Sequence, residues 1–490
     1  MRTSHIVKPV GSRRQFLLGI VSTALAAPVL AACASTPAPA VTAAPTAKPA
    51  QPATAPTAKP AQSASAPTTA PAAQPAAVAK GNRTLTFAMY VYSDWLAKAE
   101  KVANLWAQQN PGVTLSFQFT GNADFFTKMV SEIATGTPPD VSIGAQSLIM
   151  SWETSNPNAL LPLDDYIHQD TFSLTQFLAQ GPPQYRWKKG DFTVGGAGGQ
   201  MYGLPGDAQG FIFVYNKTMF DKAGVSYPTD DWTWDDVVTA GQKLTQSDKN
   251  EWGCYAPDLD TLDRGNFVYS AGGGIVSSDF KKSELDTPAT VSAYKWAWDL
   301  IYTHKIAPKP VPNETANPFS SGRVAMYWEG DWFIDDFSKI TTFDWDMAQL
   351  PKNPTTGKRT TSLESDGWWA YKATKEPELA WSLVKFLAGP PGETQFAGLD
   401  FFIPPCIPDI AKTWYAQKPP VHRSLALDNI EQDSKMLSFA YYDAAAVRQA
   451  YDAVLQKAFF DGNDIEAIMK EAAAAMNQAL TDAWKRFEQS

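Results

Sequence analysis

Hydrophobic and polar positions follow two different periods in the chain after residue 80. Stretches rich in β-branched and aromatic residues alternate with stretches that place apolar side chains at helical spacing, and turn-forming residues such as Asn110-Pro111-Gly112 separate them. The predicted elements are strand 83–92, helix 95–109, strand 113–119, helix 124–134 and strand 139–144. This βαβαβ order predicts an α/β fold with a parallel sheet that helices cover on both faces.

Candidate ligand-binding side chains follow each of these strands. In an open parallel sheet, ligands bind beyond the carboxyl ends of the strands. Tyr92, Asp94 and Trp95 follow the first strand, Asn122 follows the second, and Gln146 follows the third. Trp95 can equally pack at a helix start and Asn122 can equally cap a helix, whereas no cap is needed at Gln146. We therefore expect a cleft at this edge of the sheet.

The first 33 residues have the pattern of a bacterial export signal. Basic residues precede an apolar stretch at 16–32, which ends in Leu30-Ala31-Ala32-Cys33. This tetrapeptide resembles a lipobox, in which Cys33 would be acylated and would anchor the mature chain to the membrane. Ser12-Arg13-Arg14-Gln15-Phe16-Leu17 resembles a twin-arginine export motif, although paired arginines also occur in general secretory signals. A signal-anchor helix is the alternative, which the short apolar stretch disfavours.

Residues 34–80 have the composition of a solvated tether. They consist almost entirely of Ala, Pro, Thr, Ser, Gln and Lys, and they include no aromatic residue. Such a segment cannot bury a hydrophobic core, and its scattered prolines favour extended conformations. The sequence thus predicts a disordered Ala/Pro/Thr-rich tether that carries a folded body outside the cytoplasm.

The charge of the folded body disfavours nucleic acid as a partner. Seven of the 41 Lys and Arg lie in the first 80 residues, which leaves 34 against 50 Asp and Glu, a net charge of −16. Such an acidic body repels phosphate backbones. None of the four His and three Cys has the spacing of a zinc site, so we expect no metal and no cofactor. Whether Cys254 and Cys406 form a disulfide is left open by the sequence.

Several short motifs together resemble one protein family. No single motif is specific alone, but their order and spacing extend over residues 84–484. The motifs are Asn110-Pro111-Gly112-Val113, Thr137-Pro138-Pro139-Asp140-Val141, Leu161-Pro162-Leu163-Asp164, Tyr202-Gly203-Leu204-Pro205-Gly206 with Phe213-Val214-Tyr215-Asn216-Lys217, Gly322-Arg323-Val324-Ala325-Met326 with Gly330-Asp331-Trp332, Glu376-Pro377-Glu378-Leu379-Ala380-Trp381 with Phe386-Leu387, and Ile403-Pro404-Pro405. The combination resembles the family 1 extracellular solute-binding proteins, the sugar-binding subunits of ABC importers, a group that includes maltose-binding protein.

The resemblance implies a type II periplasmic-binding-protein-like fold, in which two α/β lobes form a clamshell with hinge crossovers. By position, the chain crosses between lobes near residues 207–210, 351–363 and 402–405. The implied lobes are 81–207 plus 364–400 for lobe 1 and 208–363 plus 401–490 for lobe 2. The resemblance also implies a monomeric receptor that is not an enzyme. Its partners would be a carbohydrate ligand, the permease subunits of an ABC transporter, and the cell membrane, reached through the lipid anchor.

Aromatic rings and carboxylates are the groups that a sugar site needs. A sugar presents C–H faces and a ring of hydroxyl groups. The chain contains 17 Trp, 17 Tyr and 26 Phe, of which core packing accounts for the larger part. Asp207 lies at the first implied crossing, and Glu329 lies close to Trp332 in the chain. Trp332 matches the Trp of the family's Gly-x-Trp motif, which stacks on sugar in maltose-binding protein.

Two further candidates lie in the sequence Asp366-Gly367-Trp368-Trp369. Alternation along a strand places Trp368 and Trp369 on opposite faces. We expect Trp368 to face the ligand, since it lies nearer the strand end, and Asp366 to hydrogen-bond ligand hydroxyls.

An exported carbohydrate-active enzyme is the alternative to a binding protein. It would use the same aromatic residues with a pair of carboxylates such as Glu329 and Asp366. The sequence contains no Gly-x-Ser-x-Gly motif and no His-based nucleophile system. The acidic cluster Asp258, Asp260 and Asp263 misses the spacing of a calcium loop, so we expect it in a solvated loop. Few basic residues lie among the site candidates, which disfavours a phosphorylated ligand.

Overall fold

The computed structural model describes residues 83–91, 95–195, 198–311, 316–399, 404–417, 419–436 and 441–489. The predicted export signal and tether, and the candidates Tyr92 and Asp94, lie outside the described residues. The strands are β1 (Arg83–Val91), β2 (Val113–Gly121), β3 (Val141–Ala145), β4 (Arg186–Trp187), β5 (Gln200–Met201), β6 (Gly203–Pro205), β7 (Phe211–Asn216), β8 (Met326–Gly330), β9 (Trp345–Ala348), β10 (Thr361–Leu363), β11 (Asp366–Ala370) and β12 (Ser434–Met436). The α-helices are α1 (Trp95–Gln108), α2 (Asn122–Ala134), α3 (Ile149–Ser155), α4 (Asp164–Gln169), α5 (Lys217–Ala223), α6 (Trp234–Leu244), α7 (Leu259–Asp263), α8 (Asn266–Ser270), α9 (Pro288–Tyr302), α10 (Ile334–Ser338), α11 (Pro377–Ala388), α12 (Pro390–Gly398), α13 (Pro408–Tyr415), α14 (Leu425–Asp433), α15 (Ala444–Phe459) and α16 (Ile465–Gln489).

The first sheet has five strands in the order β2-β1-β3-β11-β6. β1 pairs in parallel with both β2 and β3, and α1 and α2 connect these strands, which confirms the predicted βαβαβ unit. The sheet continues beyond this parallel unit with antiparallel strands, because β11 lies between β3 and β6 and pairs antiparallel with both. β11 follows β3 by more than 200 residues, so the local pattern around the first three strands contains no sign of it.

The second sheet has three antiparallel strands in the order β8-β7-β9. Its central strand, β7, is buried along its whole length. Phe211, Phe213 and Tyr215 belong to one hydrophobic cluster, whereas Ile212 and Val214 belong to another. A strand covered on both faces has an unbroken apolar sequence, as this one does. Two smaller pairings accompany the sheets, β4 with β5 and β10 with β12.

Polar side chains at the ends of α5 and α6 fix where these helices begin and end. The Asn216 side chain accepts a hydrogen bond of 3.0 Å from the backbone N–H of Met219 at the start of α5. Gly224, with φ at 66°, ends the same helix in the left-handed conformation that glycine tolerates best. At α6, Thr233 and Asp236 cap each other's backbone groups in a capping box.

Stacked aromatic rings fill much of the interior behind the second sheet. The Trp234 and Trp296 rings stack with centroids 4.7 Å apart, and Phe267 stacks on Trp296 at 5.2 Å. Phe213 of β7 stacks on Trp328 of β8 at 5.4 Å. Helices α9, α15 and α16 pack together beside this group. Many of the aromatic residues therefore serve packing. In the part of the chain that the structure describes, no helix combines the length and apolarity needed to cross a membrane.

Candidate functional site

Three chain segments meet between the two sheets. The backbones of Gln209 and Glu364 exchange two hydrogen bonds, with N–O distances of 2.9 and 3.0 Å. The backbone N–H of Ala208 donates to the carbonyl of Pro404 at 3.1 Å. We call the place where residues 206–211, 361–366 and 404 come together the crossing site. It contains two of the carboxylates that the sequence singles out.

Asp207 and Asp366 lie in direct contact at the crossing site. The backbone N–H of Asp366 donates to Oδ1 of Asp207 at 2.7 Å, and Nε2 of Gln209 donates to Oδ2 at 2.5 Å. The hydroxyl group of Tyr90, near the carboxyl end of β1, donates to the carboxylate of Asp366. Burial raises the pKa of Asp366 to about 6. Burial, followed by the nearby charge of Asp366, raises the pKa of Asp207 well above its usual range.

Hydroxyl groups tie this carboxylate pair to the neighbouring strands. Oγ of Ser365 donates to the carbonyl of Asp207 at 2.6 Å, so the hydroxyl of Tyr185, 2.6 Å away, must donate to Ser365. The carbonyl of Ser365 accepts the backbone N–H of Gln146 at 3.3 Å. Gln146, which follows β3 and is buried, is thereby placed at the crossing site.

Trp332 is half-buried beside the same segments. Its ring meets Phe211 edge to face with centroids 5.7 Å apart, and the guanidinium of Arg264 lies 5.6 Å from the Trp332 ring centroid. Arg264 forms an ion pair with Glu364 of the crossing site and a second one with Asp260, with Nε 2.9 Å from Oδ2. A cation held over an indole in this way is favourable where water is partly excluded.

Asp331 directly precedes Trp332, and its hydrogen bonds fix the backbone at this position. Its backbone N–H donates to the carbonyl of Gly210 at 2.9 Å, and the hydroxyl of Tyr415 in α13 donates to its Oδ2 at 2.5 Å. The side chain is fully buried, and this burial raises the pKa of Asp331 to about 7. The position of Trp332 therefore depends on residues from two distant parts of the chain.

Glu329 is the last carboxylate of the group and lies near the end of β8. The hydroxyl of Tyr327 donates to Oε2 of Glu329 at 3.0 Å, and the backbone N–H of Gly330 donates to Oε1 at 2.9 Å. Burial, together with the charges of Asp258 and Asp260, raises the pKa of Glu329 to about 7. Asp260 also forms an ion pair with Arg264, whose guanidinium lies over the Trp332 ring. Asp260 and Arg264 therefore connect Glu329 to Trp332.

The packing of Trp368 runs against its predicted role. Its side chain is fully buried, between Phe87 at a centroid distance of 5.9 Å and Phe396, which stacks on it at 5.8 Å. Trp369 is equally buried on the other face of β11. The two rings do point to opposite faces, but β11 is a central strand and both of its faces are covered. Trp368 is therefore a core residue of the first sheet.

Two further candidates are described only in their backbone. Trp95 begins α1 and Asn122 begins α2, so each follows a strand of the first sheet as predicted. Their side chains are outside what the structure describes.

The sequence did not identify Tyr90, Arg264 and Glu364 as members of the site. Tyr90 lies only two residues before the candidate Tyr92, and strand alternation was a usable signal for it. Arg264 directly follows the acidic cluster. That cluster is not in a solvated loop, because Asp260 and Asp263 lie in α7 and pair with Arg448 at 2.6 and 3.0 Å.

Among the described residues, no group of His, Cys, Asp and Glu has the arrangement of a metal site. Cys254 and Cys406 are both buried and free, so they do not form a disulfide. Sγ of Cys406 lies 2.6 Å from Oε1 of Glu393, and burial raises the pKa of Glu393 to about 8.

Comparison with known proteins agrees with this architecture. A binding protein of Brucella abortus is 25% identical over 311 residues, which cover 62% of this chain and 72% of that protein. The Listeria monocytogenes ABC substrate-binding protein Lmo0181, in complex with cycloalternan, superposes with a TM-score of 0.71 at 22% identity, over 81% of this chain and 99% of that one. A Thermotoga lettingae solute-binding protein bound with α-D-tagatose has a TM-score of 0.67 at 20% identity, over 81% of this chain and all of that one.

These superpositions confirm the two-lobed, type II periplasmic-binding-protein-like fold. The family that this architecture points to consists of extracellular solute-binding proteins of bacteria. The sequence profile of the bacterial extracellular solute-binding proteins matches residues 91–394. The chain therefore belongs to the bacterial extracellular solute-binding protein family.

Proposed function

We propose that this protein is the carbohydrate-binding subunit of an ABC importer and that a lipid on Cys33 holds it at the outer face of the cell membrane. The observation that carries the proposal is the half-buried indole of Trp332 at the crossing site, with Glu329 and Asp366 in the same acidic surroundings. An indole offers an apolar face to sugar C–H groups, and carboxyl groups bind hydroxyls. The cycloalternan and α-D-tagatose of the two superposed proteins are both carbohydrates, which supports the proposal.

The proposed ligand contacts come from strand ends and from the crossing site. They are Tyr92, Asp94, Trp95, Asn122, Gln146, Glu329, Trp332 and Asp366. Asp207 has a supporting role in this proposal, because both of its carboxylate oxygens already accept hydrogen bonds from the protein. It holds Asp366 in place.

Binding in this proposal proceeds by closure of lobe 1, residues 81–207 plus 364–400, on lobe 2, residues 208–363 plus 401–490. The paired segments of the crossing site act as the hinge, and the ligand shifts the balance toward the closed form by its preference for that form. No bond in the ligand is made or broken.

A thermal-shift panel of sugars tests the ligand class. The panel contains α-D-tagatose, cycloalternan and maltotriose, and a sugar that binds the folded state raises its Tm. For the sugar with the largest shift, we expect Trp332→Ala to weaken binding about tenfold or more, equivalent to about 1.4 kcal/mol, because the stacking face is lost.

Trp298→Ala is the matched control. Trp298 is half-buried in α9, and its Nε1 donates to the backbone carbonyl of Ala458 in α15, behind the second sheet. It should leave the affinity unchanged. Equal affinities of Trp332→Ala and the unmodified protein in isothermal titration would refute the proposed site, and a Tm that no carbohydrate raises would refute the proposed ligand class.

A further inference from the structure

Contacts with Gly330, Phe211 and Arg264 fix the position of the Trp332 ring. A Cβ atom at Gly330 would overlap carbon atoms of the ring, so the ring uses space that glycine leaves open. Phe211 meets the ring edge to face, and the guanidinium of Arg264 lies over it. Phe211 and Gly330 are paired residues of the second sheet, whereas Arg264 directly follows α7. The contact with Arg264 therefore depends on what holds this guanidinium in place.

Asp260 lies between two guanidinium groups. Its Oδ2 accepts a hydrogen bond from Nε of Arg264 at 2.9 Å, and its Oδ1 accepts one from the guanidinium of Arg448 in α15 at 2.6 Å. Burial alone would raise the pKa of Asp260, but the charges of Arg264 and Arg448 outweigh burial and hold this pKa below its usual range. Asp260 is therefore ionised at neutral pH and connects Arg264 to Arg448.

Arg448 is itself held by groups from α7, α9 and α15. Its Nε lies 3.0 Å from Oδ2 of Asp263 and 3.4 Å from Oδ2 of Asp452. The hydroxyl of Tyr294 in α9 donates to Oδ1 of Asp263 at 2.6 Å, and Asp263 is fully buried. The planar guanidinium is preorganised, so it loses little conformational entropy for each hydrogen bond that it forms. Arg448 is therefore a rigid support for Asp260.

We propose that Arg448 is a positioning residue for the Trp332 ring and that it acts through Asp260 and Arg264. We call this series of contacts the relay. The proposal rests on the function proposed above in one respect, which is that Trp332 stacks on sugar. Arg448 lies two side chains behind the ring and acts on affinity by holding the ring in the orientation that stacking needs. All four residues belong to the proposed lobe 2, so the relay is independent of how the two lobes are arranged.

Fluorine NMR can follow the position of the ring without ligand. The full chain is labelled with fluorotryptophan, and Trp332→Phe identifies the Trp332 resonance because it removes that signal. Gly330→Ala is the positive control, since its methyl group would overlap the ring. The backbone at Gly330, with φ at −73° and ψ at 150°, accepts alanine without strain. A shift of the resonance in Gly330→Ala therefore calibrates the response to ring displacement.

We expect Arg264→Met, Arg448→Lys and Asp260→Asn each to move the Trp332 resonance in the ligand-free protein. Arg264→Met removes the guanidinium from the ring and keeps an apolar stem. Arg448→Lys keeps the positive charge, so it leaves no buried carboxylate without a cation. A single ammonium group cannot, however, hold Asp260 and Asp263 in the fork geometry of a guanidinium. Asp260→Asn removes the shared anion at nearly the same side-chain volume.

Arg83→Lys is the matched negative control. Arg83 also forms a partly buried ion pair, at 3.3 Å from Glu376, but it begins β1, whose other end carries Tyr90 of the site. We expect this variant to leave the Trp332 resonance unchanged. A shift in Arg83→Lys as large as that in Arg448→Lys would overturn the relay, because the resonance would then report a general loosening of the protein.

The two steps of the relay can fail separately. A resonance that stays in place in Arg264→Met would refute the contact between Arg264 and the ring. A resonance that moves in Arg264→Met but stays in place in both Arg448→Lys and Asp260→Asn would refute the role of Arg448.

The effect on binding has its own measurement. For the sugar of the panel with the largest Tm shift, we expect Arg448→Lys to weaken binding about threefold in isothermal titration, since it acts through two neighbours. A moved resonance with unchanged sugar affinity would overturn the positioning role. Because the NMR measurement needs no ligand, failure of every sugar to bind would refute the carbohydrate proposal, and the resonance would still decide whether Arg448 positions the ring.

Discussion

Buried carboxyl groups set the chemistry of the crossing site at the scale of single residues. Burial raises the pKa of Asp366 to about 6 and the pKa of Asp331 to about 7. Under mildly acidic conditions, each group is therefore protonated in a large fraction of the molecules. The sequence predicts Asp207, Glu329 and Asp366 as ligand-binding residues from residue type and position. It could not indicate the protonation of the buried carboxyl groups, because the residues that surround them, such as Tyr90 beside Asp366 and Tyr415 beside Asp331, come from distant segments.

The raised pKa of Asp331 predicts that stability falls as the pH rises. The unfolded carboxyl has a pKa near its ordinary value of 3.8, whereas the folded one has a pKa of about 7. Between these values the folded state binds the proton more tightly, so its stabilising effect is complete below the lower value and lost as the pH approaches the upper one. We expect Tm to fall by a few degrees from pH 5 to pH 8, and to fall less in Asp331→Asn.

Asp165→Asn is the control for this measurement, because Asp165 is an exposed residue of α4. Calorimetry at a series of pH values should show its slope unchanged. A slope in Asp331→Asn as steep as in the unmodified protein would contradict the assignment.

At the scale of elements, β11 shows that strand alternation predicts the direction of a side chain but not its burial. Strand alternation correctly predicts that Trp368 and Trp369 point to opposite faces. It does not tell whether a face is open or covered, which depends on the neighbours of the strand. Trp152 covers one face by meeting Trp369 at 5.7 Å, and Phe396 covers the other by stacking on Trp368.

Trp368→Ala should therefore act mainly on stability. Removing a fully buried Trp from a packed core costs about 3–5 kcal/mol of unfolding free energy. Because Nε1 of Trp368 makes no hydrogen bond, Trp368→Phe should recover most of this loss. Urea unfolding followed by circular dichroism measures both variants. A midpoint in Trp368→Ala equal to that of the unmodified protein would show that the side chain is not in the core.

At the scale of the whole molecule, local patterns account for the first three strands and their helices, and the spacing of short motifs accounts for the family. The remaining features depend on contacts between distant residues. Arg264 reaches Glu364 across 100 positions of the chain, and Phe192 reaches Trp484 across nearly 300. Neither contact leaves a local signature, because each partner alone resembles an ordinary surface cation or core aromatic.

The proposed anchor predicts where the whole molecule is found in the cell. Cys33→Ser removes the thiol that would carry the lipid, so we expect the exported protein to move from the membrane fraction to the soluble extracytoplasmic fraction. Cys254→Ser, at a buried position, should leave the distribution unchanged. Metabolic labelling with a tagged fatty acid checks the same point, and incorporation into the Cys33→Ser chain would contradict the assignment.

The place of β11 in the first sheet also constrains the order in which the chain can assemble during synthesis. β6 pairs with no strand of that sheet other than β11, which pairs in turn with β3. The sheet therefore stays divided until residue 370 has left the ribosome, long after its first three strands have emerged. A chain that completes its central layer this late leaves the apolar side chains of β3 without one of their neighbouring strands through most of its synthesis.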